Sequence, residues 1–136
     1  MPKIIIVDDD DDDIYFFKKA CQQVSPPPNV ETLNDGSELL EFIEQGKADN
    51  SVILLDLNMP NMGGFDVLRS LNASDNVNHL VIVTYSTSTN PSDVRQCYEL
   101  GVKSYITKPD SNGELAKLVS TLCQYWFEYN HAPLST

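Results

Sequence analysis

The chain has 136 residues, and at roughly 100–200 residues per domain this length predicts one domain with a single core. Apolar residues make up 41% and charged residues 21%, a balance typical of a globular protein and too apolar for a disordered one. Twenty acidic residues against nine basic ones give a formal net charge of −11. Such a surface repels phosphates and anionic lipids, so we expect neither nucleic acid nor membrane binding.

The chain carries no sign of export or membrane insertion. No apolar run approaches the roughly 18 residues that a membrane span needs. The first apolar stretch, Ile4 to Val7, is too short for the core of a signal peptide, and six aspartates follow it. The sequence therefore predicts a cytoplasmic protein. Its three cysteines form no CxxC pair and are interpreted as small apolar side chains in a reducing compartment.

Apolar periodicity alternates along the chain between strand and helix. Ile4 to Val7 is a continuous apolar run typical of a strand buried on both faces, and residues 14–24 then carry apolar positions at helical spacing. Further strands are predicted over 30–33, 52–55, 80–85 and 102–107, each followed by a helical pattern. Strict alternation of this kind predicts an α/β domain over residues 1–130, with a parallel sheet between two layers of helices. We expect a frayed tail over 131–136 and no output domain.

Charged and hydroxyl side chains stand where four of these strands end. The first predicted strand ends in Asp8-Asp9, the third in Asp56, the fourth near Ser86 and the fifth in Lys108. In parallel α/β sheets, functional groups gather at the carboxyl ends of the strands. Carboxylates packed closely repel one another unless a cation such as Mg²⁺ lies among them, and a nearby ammonium can neutralise a further anionic oxygen. This combination predicts a phosphoryl site with the carboxylate in the middle of the sheet, Asp56, as nucleophile.

Four segments closely resemble the motifs of response-regulator receiver domains, the switches of two-component signalling. They are IIIVDD at 4–9, LLDLNMPNMGG at 54–64, YST at 85–87 and SYITKP at 104–109. The resemblance covers residues 3 to about 127 and implies a flavodoxin-like, doubly wound (βα)5 fold with a five-stranded parallel sheet in the order 2-1-3-4-5. The segment Tyr-Ser-Thr-Ser at 85–88 and the short loops also resemble those of stand-alone receivers of the phytochrome-associated type.

The resemblance implies specific roles in phosphoryl transfer. Asp56 would accept a phosphoryl group from a phosphohistidine of a sensor histidine kinase or a phosphotransfer protein. The implied ligands of Mg²⁺ are Asp8, Asp9, Asp56 and the backbone carbonyl of Asn58. Lys108 would pair with the phosphate, and the Lys108–Pro109 peptide bond would be cis. The protein would thus be a signalling switch that catalyses only its own phosphorylation and dephosphorylation.

The resemblance also implies how the switch is transmitted. Ser86, at a position where the family more often has threonine, would hydrogen-bond the phosphoryl group, and Tyr105 would change rotamer when Ser86 moves. The surface of the fourth helix, fifth strand and fifth helix would then change and control a protein partner or a phosphorelay. Several aromatic residues lie on these elements, and neighbouring helix positions point about 100° apart, so some must be exposed. We therefore expect a docked partner or a homodimer on this surface.

Alternative interpretations remain open from the sequence. The run Asp10 to Asp13 is interpreted as a solvated acidic start of the first helix, where carboxylates favour the helix dipole. The alternative function is a phosphorylation-independent interaction module on the same fold. That function normally accompanies loss of Asp56, an acidic ligand or Lys108, and all are present. A flavodoxin-type FMN carrier needs a Ser-, Thr- and Gly-rich loop after the first strand, where this chain places aspartates that repel phosphate.

Overall fold

The structure is a computed structural model that describes residues 3–74 and 78–131. Its strands are β1 (Lys3–Val7), β2 (Asn29–Leu33), β3 (Val52–Leu55), β4 (Val81–Ser86) and β5 (Ser104–Thr107). Its helices are α1 (Asp11–Gln22), α2 (Gly36–Glu44), α3 (Gly64–Ala73), α4 (Pro91–Glu99) and α5 (Asn112–Cys123), and α5 continues into a π-helical segment over Gln124–Tyr129. All but the first residue of the predicted tail lies outside the described residues.

The five strands form one parallel sheet in the order β2-β1-β3-β4-β5, which confirms the predicted topology. Successive side chains of a strand point to opposite faces of the sheet. In β1, Ile4 and Ile6 therefore join the core beneath α1 and α5, whereas Ile5 and Val7 join the core beneath α2, α3 and α4. β1, β3 and β4 are consequently buried on both faces, which is why their sequences read as unbroken apolar runs.

Several strand boundaries differ from the predicted ones by one or two residues. β1 begins at Lys3 and β2 at Asn29, each one residue earlier than predicted. β5 begins at Ser104 and not at Val102, because the Val102 N–H donates to the Cys97 carbonyl and closes the end of α4. β4 begins at Val81 and runs through Ser86, one residue further than predicted, because Ser86 still pairs with β5. The shift places Ser86 inside the sheet, at the last buried position before the edge.

The local chemistry of the first helix explains where it begins. Asp10 is the N-cap of α1, and its carboxylate accepts hydrogen bonds from the backbone N–H groups of Asp12 and Asp13. The acidic run thus satisfies the free donors of the first turn and faces the positive end of the helix dipole. It also fixes the start of α1 directly beside the carboxyl edge of the sheet.

Other predictions of the sequence are settled by the same structure. Cys21 and Cys97 are buried, Cys123 is half-buried, and all three are free. The implied cis bond at Lys108–Pro109 is wrong: among the described residues the cis peptide bond is Ser25–Pro26, and Lys108–Pro109 adopts the trans form that most X–Pro bonds favour. Across residues 3–74 and 78–131, no helix is both long and apolar enough to cross a bilayer.

Candidate functional site

The sheet brings the predicted carboxylates together at its carboxyl edge. The Asp8 N–H donates to the Leu33 carbonyl and the Asp56 N–H to the Val7 carbonyl, each at 3.0 Å, so the ladder continues one residue past β1 and β3. Asp8 is 0% and Asp56 is 6% exposed, whereas Asp9 faces solvent. A carboxylate oxygen of each of the three lies within 4.8 Å of the others. This acidic cluster is the set of side chains that the sequence predicted for a metal site.

Lys108 reaches the same cluster from the end of β5. Its backbone N–H donates to the Ser86 carbonyl at 2.8 Å, which anchors it beside the end of β4. Its ammonium Nζ lies 2.7 Å from Asp8 Oδ2, 2.8 Å from Asp13 Oδ2 and 3.8 Å from Asp56 Oδ1. The side chain is only 11% exposed, so these contacts form away from bulk water and are poorly screened. One ammonium therefore holds three carboxylates from three different elements.

Burial and charge shift the ionisation of these groups. Burial raises the pKa of Asp56 to about 6; Lys108 opposes this rise, and the neighbouring Asp8 carboxylate adds to it. Burial likewise raises the pKa of Asp8, against the hydrogen bond from Lys108. Burial alone would lower the pKa of Lys108, but its hydrogen bonds with Asp13 and Asp8 outweigh that effect and raise it. The pocket thus contains one charged ammonium, and that single positive charge does not offset the effect of burial and of neighbouring carboxylates on Asp56.

The donor set of the acidic cluster suits a hard divalent cation. All three side chains offer carboxylate oxygens, the ligands that Mg²⁺ and Mn²⁺ accept, and two of them come from buried positions at the strand ends. The raised pKa of Asp56 shows that negative charge is costly here without a counter-ion. The residues present therefore fit a bound divalent cation.

The loop after Asp56 folds back over the end of β3. The Asn58 N–H lies 3.5 Å from Asp56 Oδ1, and Asn61 adopts a left-handed backbone with φ of 67°. Gly64 begins α3 with its N–H bonded to the Leu57 carbonyl, and a Cβ there would lie 2.5 Å from the Asp56 carbonyl oxygen. A residue without a side chain is therefore required at 64 for the loop to close against the end of β3. Asn58 itself is exposed at the rim of the pocket.

The predicted switch residues are linked through a residue that the sequence did not indicate. Ser86 is fully buried, and its Oγ accepts a 3.2 Å hydrogen bond from the Ser88 N–H. The Tyr105 hydroxyl donates to the Ser88 carbonyl at 2.9 Å. The Ser88 hydroxyl in turn donates to Asp93 Oδ2 in α4 at 2.6 Å. Ser88 therefore connects the pocket hydroxyl, the half-buried tyrosine of β5 and the first turn of α4.

Sequence reasoning also missed the role of Asp13. The prediction of a solvated acidic run is wrong for this residue, whose carboxylate is 38% exposed and bonded to Lys108. The available signal was its position: α1 begins at Asp11, so Asp13 lies in the first turn of the helix, close to the strand end that carries Asp8. For Ser88 the signal was its position two residues after Ser86, within hydrogen-bonding reach of a turn.

Comparison with known proteins bears on this geometry. A family model described as response regulator receiver domain matches residues 4–120. Response regulator Rcp1 from Synechocystis is 36% identical over 101 residues, which cover 71% of this chain and 69% of the relative. Among solved structures, the phosphorylated cyanobacterial phytochrome response regulator RcpA has a TM-score of 0.84 at 31% identity, over 97% of this chain and 98% of that one. The Mn²⁺-bound form of Rcp1 has a TM-score of 0.82 at 30% identity, over 98% and 99%.

The doubly wound parallel sheet, with an acidic cluster, a lysine and a buried hydroxyl at its carboxyl edge, has the architecture of a signalling receiver domain. The family match makes the assignment definite: this chain belongs to the response-regulator receiver family. It is similar in fold to phytochrome-associated response regulators, and a receiver domain of this kind acts as a switch in two-component signalling.

Proposed function

We propose that the protein accepts a phosphoryl group on Asp56, in a step that depends on Mg²⁺, and passes the change to a protein partner. The observation that carries this proposal is the position of the Asp56 carboxylate, which is buried 3.8 Å from the Lys108 ammonium and within 4.8 Å of the Asp8 and Asp9 carboxylates. A nucleophilic carboxylate between a cation-binding cluster and a fixed ammonium is the arrangement that phosphoryl transfer requires.

The transfer uses this chain's own groups in defined ways. An Asp56 oxygen forms a bond to phosphorus as the phosphorus–nitrogen bond of a donor phosphohistidine breaks, and the imidazole leaves with the electron pair of that bond. Asp56 must be ionised to attack, and its pKa of about 6 leaves it ionised at neutral pH. Lys108, 3.8 Å from Asp56, would contact the transferred phosphoryl oxygens, and the buried Ser86 hydroxyl would turn to hydrogen-bond one of them. Asp8, Asp9, Asp56 and the Asn58 carbonyl would hold Mg²⁺, which neutralises charge on the carboxylates and the phosphoryl group.

Two relatives support this chemistry. The structure of RcpA is that of a phosphorylated response regulator, and the structure of Rcp1 carries Mn²⁺. Both are at least 30% identical to this chain and share its fold over nearly the full length. Mn²⁺ and Mg²⁺ accept the same oxygen ligands. We therefore propose that the acidic cluster of this chain binds Mg²⁺.

We further propose that the α4-β5-α5 surface carries the output. When Ser86 turns toward a phosphoryl group, its hydrogen bond with Ser88 must change, and Ser88 holds both Tyr105 and the first turn of α4. β5 is an edge strand of the sheet, and α4 and α5 flank it on opposite faces. Tyr98 on α4 and Tyr125 after α5 are each about half exposed. Exposed aromatics beside a sheet edge favour a docked partner or a second copy of the chain.

A single incubation tests the phosphoacceptor proposal. The purified protein is treated with acetyl phosphate and Mg²⁺, and its intact mass is measured beside an EDTA control and the Asp56→Asn variant. We expect one added phosphoryl group that requires Mg²⁺ and is absent from Asp56→Asn. No added mass on the folded wild-type chain would contradict the proposal and favour the phosphorylation-independent interaction module.

A further inference from the structure

Lys108 has a partner outside the acidic cluster that would bind a cation. Its Nζ is 2.8 Å from Asp13 Oδ2, as close as it is to Asp8 and a full ångström closer than it is to Asp56. Asp13 belongs to the first turn of α1, whereas Asp8 and Asp56 end strands. Lys108 is therefore tied to a helix as well as to the sheet.

The two short contacts of Lys108 differ in what happens when the pocket fills. Asp8 belongs to the acidic cluster, so a cation bound there takes up part of its negative charge and weakens its hold on Lys108. Asp13 is not a member of that cluster, so a cation bound there leaves the contact between Asp13 and Lys108 in place. A phosphoryl group on Asp56 would need the ammonium that now lies 3.8 Å from Asp56 Oδ1. Such a group would place further anionic oxygens beside an ammonium whose two contacts of hydrogen-bond length now go to Asp8 and Asp13, so it competes with them for the ammonium.

We propose that Asp13 is a positioning residue that holds Lys108 in the unphosphorylated protein and competes with the phosphoryl group for its ammonium. This inference rests on the proposed function and adds a restraint to it. Phosphorylation breaks the Lys108–Asp13 contact and frees the Asp13 carboxylate at the start of α1. The first turn of α1 thereby senses the state of Asp56 through Lys108, independently of the Ser86, Ser88 and Tyr105 connection.

The competition is tested with beryllofluoride and Mg²⁺, which together mimic the phosphoryl group, by titrating the wild type, Asp13→Asn and Asp12→Asn. Asp12 is the matched control because it lies in the same turn, is exposed and makes no side-chain hydrogen bond within the described residues. Loss of a charge-assisted hydrogen bond to Lys108 should tighten beryllofluoride binding by roughly three- to tenfold in Asp13→Asn. Removing the exposed charge alone, in Asp12→Asn, should change it by less than about twofold.

A second measurement separates positioning of Lys108 from a general effect of charge. The nitrogen resonance of the Lys108 ammonium is compared between wild type and Asp13→Asn, without and with beryllofluoride. We expect the two proteins to differ without beryllofluoride and to coincide with it, because Lys108 then contacts the phosphoryl mimic in both. Melting curves confirm that each variant is folded, and Asp13→Ser replaces Asp13→Asn if the latter is unstable.

The outcomes are distinguishable. Equal affinities for Asp13→Asn and Asp12→Asn, or weaker binding by Asp13→Asn, would overturn the competition while leaving the phosphoacceptor role of Asp56 intact. Ammonium resonances that coincide in both states, or differ in both, would overturn it as well. Failure of the wild type to bind beryllofluoride with Mg²⁺ would contradict the proposed function itself and this inference with it.

Discussion

The hydroxyl of Tyr105 donates a 2.9 Å hydrogen bond to the backbone carbonyl of Ser88, across 17 residues of sequence. The bond joins the edge strand β5 to the turn that leads from β4 into α4. The N–H of the same residue donates to Ser86 Oγ, so the buried end of β4 is connected to β5 through the backbone of one residue. The half-buried tyrosine is thus connected by hydrogen bonds to the buried end of β4.

Replacing Tyr105 with phenylalanine should destabilise the protein by about 1 kcal/mol, the net value of one partly buried hydrogen bond. Urea denaturation measures the change. Tyr98→Phe is the matched control, because Tyr98 is 50% exposed and its hydroxyl has no partner within residues 3–74 and 78–131. Equal stabilities of the two variants would show that the Tyr105 hydrogen bond contributes nothing to the folded state.

Lys108→Ala should lower the stability of the metal-free protein by about 3 kcal/mol. Truncation leaves the fully buried Asp8 carboxylate without its ammonium, and breaking one partner of a buried ion pair costs on the order of 3–5 kcal/mol. The control is Lys117→Ala, because the Lys117 ammonium is exposed and makes only a long, 3.5 Å contact with the exposed Glu114 carboxylate. Denaturation in EDTA measures both variants. A Lys108→Ala variant as stable as Lys117→Ala would contradict the buried geometry of the pocket.

Asp56→Asn should stabilise the metal-free protein at neutral pH and reduce its dependence on pH. The folded-state pKa of Asp56 is raised from 3.8 to about 6, so the folded state binds the proton more tightly than the unfolded state. Stability of the wild type should therefore rise as pH falls through about 6, by on the order of 2 kcal/mol from this group. Asparagine cannot titrate, so the variant should lack this part of the slope.

Denaturation in EDTA at several values between pH 7.5 and pH 5 checks that expectation. Asp66→Asn serves as a control, since Asp66 is an exposed carboxylate whose loss should leave the slope in place. Parallel stability curves for the wild type and Asp56→Asn would mean that the Asp56 carboxylate is not destabilised by its surroundings.

Mg²⁺ should raise the melting temperature through the acidic cluster. A ligand that binds only the folded state stabilises it by mass action, about 2.7 kcal/mol at a hundredfold excess over Kd. Asp9→Asn should remove most of this shift, because Asp9 supplies the exposed oxygen of the cluster. Asp11→Asn, which removes an exposed charge two residues away, should retain it. Melting curves with Mg²⁺ and with EDTA that coincide for the wild type would remove the case for a cation at this site.

The proposed output surface predicts self-association that depends on exposed aromatics. Phe127 is half-buried against the core, so replacing it would disturb packing, whereas Tyr125 is 51% exposed. Light scattering over a range of concentrations should therefore show a dimer that Tyr125→Ser weakens. Tyr15→Ser provides the control, because Tyr15 is 60% exposed on α1, away from β5. A monomer at every concentration, with and without acetyl phosphate and Mg²⁺, would contradict the homodimer. Docking of a different protein would then be the remaining role for this surface.

Most of the fold could be predicted because its cause is local. Strands buried on both faces read as unbroken apolar runs, and four of the five predicted strand ends carry the predicted site residues Asp8, Asp56, Ser86 and Lys108. The parallel register then makes them neighbours without further information. The strand order itself was implied by the resemblance to receiver domains and is confirmed by the pairing.

The contacts that sequence reasoning missed depend on where side chains point. Asp13 was one of six adjacent aspartates, and only the position of the first turn of α1 at the carboxyl edge of the sheet distinguishes it from the neighbours that face water. Ser88 makes hydrogen bonds through its backbone N–H and carbonyl as well as its hydroxyl. Because every residue other than proline has these backbone groups, the residue type does not reveal which partners they bind. The same holds for the π-helical end of α5, where the apolar spacing still reads as an ordinary helix.

We propose that Asp56 carries the phosphoryl group, and reductive trapping tests this assignment at the level of the residue. The protein is treated with acetyl phosphate and Mg²⁺ and then with borohydride, which reduces an aspartyl phosphate to homoserine. Peptide mass spectrometry locates the product. We expect homoserine at position 56 alone, with none in the EDTA control. Homoserine at Asp8, Asp9 or Asp13 instead, or none on a folded and Mg²⁺-loaded protein, would contradict it.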